Sequence, residues 1–307
     1  MVAVAVTAVT VLGADLFILS QRNVTTPVTL GQALGRLHQA QAGPPPQASA
    51  ALSGPATVTT LPAAQASTAR RSALIGTPKP PPTATSVAVA AAATHASPAA
   101  NPYALPAEGV YAYKTTGGES ISVAGASHSY PPETYATVRH LGGCQWLNEN
   151  DVIKEHVDKR TLCSEPGHLL QLEQSREVTF FGKTDGGDYV CAPPETQHDT
   201  TEQVGATTVG TCTASDGSAA RIEATYLGDE PVQVGGATVD AVHLHLHSTL
   251  TGRAQGTADE QFWLLPESGL VLRWDRSVDT MANAAFGANV HYQEQATFLL
   301  ESLTPAN

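Results

Sequence analysis

Residues 239–274 read VDAVHLHLHSTLTGRAQGTADEQFWLLPESGLVLRW. Val242, Leu244 and Leu246 alternate with His243, His245 and His247, the period of two expected of a strand with one buried face. Phe262-Trp263-Leu264-Leu265 is a short apolar run. Pro266-Glu267-Ser268-Gly269 carries turn chemistry, because proline presets φ and glycine accepts φ > 0. Residues 270–274 then return. The stretch predicts three antiparallel strands joined by two turns.

The same grammar extends in both directions. Residues 110–115, 135–140, 168–181, 221–227 and 289–303 read as further strands, with 121–123, 144–147 and 189–191 as shorter pieces. Gly117-Gly118, Gly142-Gly143, Gly186-Gly187 and Gly235-Gly236 read as turns, as do 148–151 and 185–188. Residues 152–162 are polar and mixed, with Ile153 and Val157 on one face. Turns this frequent, with few helical stretches, predict a mainly β domain over 108–307: an antiparallel sheet, either curved or nearly closed.

Upstream the composition changes. Residues 2–19 are apolar apart from Thr7, Thr10 and Asp15. As a helix they would rise about 27 Å, barely enough to cross a bilayer. No basic run precedes them and no A-x-A-like site follows, so residues 1–20 read as an uncleaved anchor rather than a cleaved signal. Arg22 and Arg36 follow the span, which by the positive-inside rule points the C-terminal mass inward. A basic leader upstream of Met1 would reverse that orientation. Residues 21–41 are a juxtamembrane segment with a short helix. Thr29 and Gln32 match a capping box, and Leu30, Ala33, Leu34 and Leu37 fall on one face, which reads either as a marginal juxtamembrane helix or as a docking strip for membrane or partner. Residues 42–107 are rich in Ala, Pro, Thr and Ser and read as a disordered linker.

From residue 108 onward there are 27 acidic and 11 basic residues, a formal charge of −16. Such a surface repels phosphate backbones, which argues against a nucleic-acid partner. Four cysteines, at 144, 163, 191 and 212, all lie in this domain and form no C-x-x-C. An even count in an exported-looking domain suggests two disulfides. Of three possible pairings the sequential one, Cys144–Cys163 and Cys191–Cys212, is preferred, each closing a loop of about 20 residues. That chemistry belongs outside a reducing cytosol and places the domain on the export side of the cell membrane.

Phe262–Arg273, FWLLPESGLVLR, resembles the strand–turn–strand hairpin W-hydrophobic-x-P-x-(S/T)-G-L-x-x-R found in bacterial envelope proteins of the LolA/LppX-like lipoprotein-carrier superfamily. The likeness covers residues 235–303. The series Gly143-Cys144-Gln145-Trp146, Leu162-Cys163, Phe180-Phe181-Gly182 and Tyr189-Val190-Cys191-Ala192-Pro193-Pro194 is similar to anchored, proline-tethered actinobacterial envelope proteins. The resemblance implies a half-barrel whose concave face, covered by helices, holds a lipid or acyl chain. Tyr226, Leu244, Leu246 and Phe262 are then the candidate ligand-lining residues. The sequence departs from that pattern in having no long amphipathic helix to cover the concave face.

Catalytic and metal chemistry find less support. His243, His245 and His247 lie on one strand face about 6.7 Å apart, so two of them at most could share a metal, with help from Asp259 or His291. The plainer reading is the solvent face of a half-buried strand. There is no G-x-S-x-G, and no cysteine is left over as a nucleophile. None of the Gly-Gly pairs opens a helix after a strand, so none cradles phosphate, and nothing calls for a cofactor. Arg273 and Arg276, near Trp274, are candidates for gripping an anionic headgroup or for surface ion pairs. Two function classes follow: an anchored extracytoplasmic module that binds a lipid or acylated partner, or a structural protein with a filled core that docks an envelope protein.

Overall fold

The computed structural model describes residues 24–43, 104–283 and 289–307. The candidate anchor and nearly all of the predicted linker lie outside them. Among the described residues no helix is long and apolar enough to cross a membrane. One helix, α1 (Leu30–Ala42), precedes β1 (Gly109–Ile121), β2 (Ser127–Ser129), β3 (Glu133–Gly142), β4 (Gln145–Ile153), β5 (His156–Glu165), β6 (His168–Phe180) and β7 (Lys183–Asp199). They are followed by β8 (Thr207–Ala214), β9 (Ala219–Val234), β10 (Ala237–Thr251), β11 (Ala254–Leu264), β12 (Val271–Asn283) and β13 (Asn289–Leu300).

From β3 to β13 every strand pairs antiparallel with the next, β1 pairs with β3, and β13 returns to β1 with Tyr113 opposite Leu300 and Ile121 opposite Tyr292. The result is a closed twelve-stranded barrel, with β2 laid beside the far end of β1. The expected half-barrel is corrected to a closed one. A sheet with an apolar face must cover it with another layer or with itself. Here the sheet covers itself, which also removes its open edges.

The predicted capping box is present at α1. Gln32 N–H donates to Thr29 Oγ1 at 3.3 Å and Thr29 N–H donates to Gln32 Oε1 at 3.0 Å. The docking strip is occupied by the barrel itself: Val28, Ala33 and Leu37 pack on Val110 and Tyr135 of the outer wall. Leu30 stays exposed, so the strip is narrower than the sequence suggests. The chain before α1 is also fixed, since Thr26 N–H donates to Glu155 Oε2 at 2.8 Å and Lys154 N–H donates to Thr26 O at 2.9 Å.

The hairpin stretch folds as predicted, as β10, β11 and the start of β12, with Leu244 opposite Phe262 and Phe262 opposite Trp274. Gly235-Gly236 is a true two-residue turn with φ of 57° and 85°, the left-handed pair that a type I′ hairpin needs. Gly117-Gly118 is not a turn but lies within β1. A Cβ on Gly117 would sit 2.1 Å from Gln295 O, so only glycine lets β13 pass. Gly186-Gly187 likewise lies inside β7, and residues 148–151 lie inside β4.

Both disulfides have the predicted pairing, Cys144–Cys163 and Cys191–Cys212. The second closes the shortest seam of the wall. β7 and β8 share only the pairs Tyr189–Ala214, Val190–Thr213 and Cys191–Cys212. The Cys191→Ser/Cys212→Ser variant is expected to lose about 3 kcal/mol of stability. Its native-state hydrogen exchange should quicken first in β8 and the facing half of β7, and uniform quickening around the barrel would show that this seam is not the weak point.

A candidate ligand cavity above a buried ionic layer

The barrel interior is divided along its axis. Towards the end that carries the β9–β10 and β11–β12 turns, Leu244, Leu246, Phe262, Leu272, Phe298 and Leu300 fill it, together with Trp146 and Trp274. Three of the four predicted ligand-lining residues, Leu244, Leu246 and Phe262, belong to this packed base, with Tyr226 half-buried against it. None of the four lines the open space.

Above the base lies a layer of charged groups brought together from opposite walls. Arg276 on β12 donates through Nη1 to Asp158 Oδ2 on β5 at 2.7 Å, and its Nε lies 3.2 Å from Glu294 Oε2 on β13. Arg160 on β5 donates through Nη2 to both oxygens of Glu260 on β11, at 2.9 and 2.8 Å. Its guanidinium sits 4.4 Å above the Phe262 ring, and that of Arg276 lies 5.0 Å from Trp274, contacts that ease the loss of water around a cation. Arg176 on β6 donates to Glu294 and Tyr292. His156 Nδ1 lies 2.8 Å from Glu119 Oε2, and its Nε2 lies 2.9 Å from Asp158 Oδ2. Tyr130 O–H donates to Glu294 Oε1 at 2.8 Å, and His128 Nδ1 lies 2.6 Å from Glu119 Oε1.

Burial and charge oppose each other throughout this layer. Burial alone would raise Glu119, Asp158 and Glu294, but nearby cations outweigh it: His156 for Glu119, and Arg276 for Asp158 and Glu294. All three carboxyls are held below their ordinary values. Burial would lower His156, yet Asp158, then Glu119 and Glu294, push it up to about 9. The layer therefore matches three guanidinium groups and one imidazolium against Glu119, Asp158, Glu260 and Glu294. Glu195 stands apart. Its side chain lies over Gly210 at the β7–β8 seam, and burial, opposed by Arg160, raises it to about 7.

On the far side of this layer the barrel is open, with a cavity of about 270 Å³. Its floor is Asp158, Arg160, Arg176, Glu260, Arg276 and Tyr292. Its walls include Val178, Phe180, Leu250, Ala258, Val278 and Val290. The β6–β7, β8–β9 and β10–β11 turns form the rim, where Arg253 pairs with Asp185. The site thus offers apolar sides and a polar bottom that is part of the charge-balanced layer.

The other sequence candidates are placed elsewhere. His243 stacks on Trp263 with ring centroids 4.1 Å apart and has Gln261 and Glu230 as neighbours. His245 and His247 share Asp259, at 3.2 and 2.8 Å, on the outer face, while His291 pairs with Asp279. Among the described residues, the one group placing three ligand atoms within 4.8 Å of one another is Cys144, Cys163 and Glu165, whose sulfurs are bonded to each other. Arg273 lies outside, paired with Asp275 and stacked on Trp263. Arg276, two residues from Trp274, points inward with it. That shared phase was the available signal for the ionic layer, as was the phase of Glu260 with Phe262 and of Arg160 with Leu162.

The chain matches no protein-family model and no curated protein. Its closed antiparallel barrel is compatible with the lipoprotein-carrier likeness at the level of fold alone.

Stability should peak in mildly acid solution. Glu195 and His156 have folded pKa values above their ordinary 4.5 and 6.5. Their contributions are present below those values and are lost as pH rises through about 7 and about 9. The lowered carboxyls act in the opposite sense and lose their contribution as pH falls below the ordinary carboxyl range. Glu195→Gln should abolish the first loss and so gain on the order of 2–3 kcal/mol relative to wild type at pH 8. Denaturant unfolding at pH 5 and pH 8 measures this, and an equal fall in both proteins would remove Glu195 from the account.

Proposed function

We propose that this chain is an extracytoplasmic binding barrel, held at the cell membrane by its N-terminal apolar segment, that takes a small lipid or acyl chain into the mouth cavity. The observation that carries the reading is the cavity itself, with its apolar sides over a polar floor inside a closed wall. A lipid-like ligand would bury its chain against Val178, Leu250, Ala258 and Val278 and set its head on Arg160, Arg176 and Glu260. Two disulfides support an oxidising compartment. Outward residues such as His245, Asp259, Asp275 and Gln293 suit contact with water rather than with hydrocarbon.

The floor also bears on the head. The ionic layer that carries this floor sets three guanidinium groups and the His156 imidazolium against four carboxylates, so an added ion would enter a water-poor layer without a partner. A neutral head carrying hydroxyl and carbonyl groups meets both guanidinium donors and carboxylate acceptors. Among the described residues no free cysteine is left to act as a nucleophile. The packed base favours the second reading, a scaffold docking an envelope protein, to the extent that this end of the lumen is already full.

Calorimetric titration of the full chain at pH 6 with a ten-carbon monoacylglycerol and with the corresponding fatty acid tests the proposal. The neutral ligand should bind at least tenfold more tightly, and Ala258→Trp should weaken binding at least tenfold while the protein still unfolds cooperatively. Undiminished binding by that variant would place the ligand outside the cavity and leave the scaffold reading standing.

A further inference from the structure

Antiparallel strands put their turns alternately at the two ends of the barrel. The β4–β5, β6–β7, β8–β9 and β10–β11 turns share the mouth end. The β9–β10 and β11–β12 turns and residues 301–307 share the other. Thr26 is bonded to Lys154 and Glu155 of the β4–β5 turn. From there α1 runs down the outer wall towards Val110, at the start of β1. The chain therefore arrives at the barrel on its mouth side.

Only residues 20–23 separate Val24 from the apolar segment 2–19. An extended chain covers at most about 3.6 Å per residue, so the five steps from Leu19 to Val24 reach no further than about 18 Å. Residues 44–103 add nothing to this reach. They leave from α1 and rejoin at Ala104, two points of the same body. They do not space the barrel from the N-terminal segment.

The mouth end also carries exposed apolar side chains. Val24 is 54% exposed, Val123 36% and Met281 42%. Phe181 stands at the tip of the β6–β7 turn, on the cavity rim. Lys154 and Lys183 lie at the same end. Apolar groups interspersed with lysines suit the headgroup zone of a bilayer, where short apolar side chains enter and ammonium groups meet phosphates.

We infer that the barrel sits with its cavity mouth against the membrane surface, the opposite end pointing away. This rests on the reading above that residues 2–19 lie in the bilayer. The cavity then opens towards lipid, and a ligand could pass between bilayer and barrel with little exposure to water.

The test uses the full chain in lipid nanodiscs containing a nickel-chelating lipid, with a nitroxide at Val123→Cys or Met281→Cys for the mouth and at Leu303→Cys for the far end. Relaxation by nickel should be at least fivefold stronger at either mouth position than at 303. Equal or reversed relaxation in a chain that stays on the nanodisc would overturn the orientation alone. A chain that washes off the nanodisc would overturn both the anchored reading and this inference.

Discussion

The structure turns on Arg276. Its guanidinium is buried inside the barrel with Asp158, Glu260 and Glu294 as counter-ions, carboxylates carried by β5, β11 and β13. A cation stripped of water survives only where its partners are fixed around it, because the desolvation penalty otherwise exceeds the attraction. Around the wall, the strand bearing Asp158 lies seven strands from β12 in one direction and five in the other. Contact across the lumen brings the two together, and that contact requires a closed wall. In an open half-barrel the same pairs would face water and contribute little. Closure and the ionic layer are thus one constraint, and the apolar base and the open mouth are what remain of the lumen on either side.

The same layer explains which parts of the fold were legible in the sequence. Where inward positions are apolar, as in Val242-His243-Leu244-His245-Leu246, the alternation reads directly and the strands lie where it puts them. β4 presents Asn148 and Asn150 to the lumen, opposite Arg160 and Asp158 of β5. A run such as Asn-Glu-Asn-Asp then looks like a turn when it is the middle of a strand. Residues 185–188 mislead for a related reason, since polar and glycine residues pair along β6 there. The disulfide pairing was legible because each bridge spans one pair of elements adjacent in sequence, from Cys144 just before β4 to β5, and from β7 to β8. Closure was not, because the register between β1 and β13 is set by partners at opposite ends of the domain.

The ionic layer also bears on where space is left in the lumen. Leu244, Leu246 and Phe262, expected to line a ligand site, are large apolar side chains of the base. In a barrel closed on itself the largest apolar side chains pack against one another and leave no space. Space opens where the inward residues become small or short, at Ser248, Ala254, Ala258 and Ala282, all lining the cavity. The charged floor keeps the packed base and this space apart, because neither hydrocarbon nor water can cross it without breaking paired ions.

Helix α1 lies outside the barrel. Had it entered the lumen, as a cover for a concave face, it would have met the floor of charges and filled the mouth. On the outer wall it leaves the mouth open, and its apolar face is spent on Val110 and Tyr135. The contact of Thr26 with the β4–β5 turn then fixes the end of the barrel at which the described chain begins. One short helix, by packing outside rather than inside, sets both the openness of the cavity and the direction from which the chain reaches it.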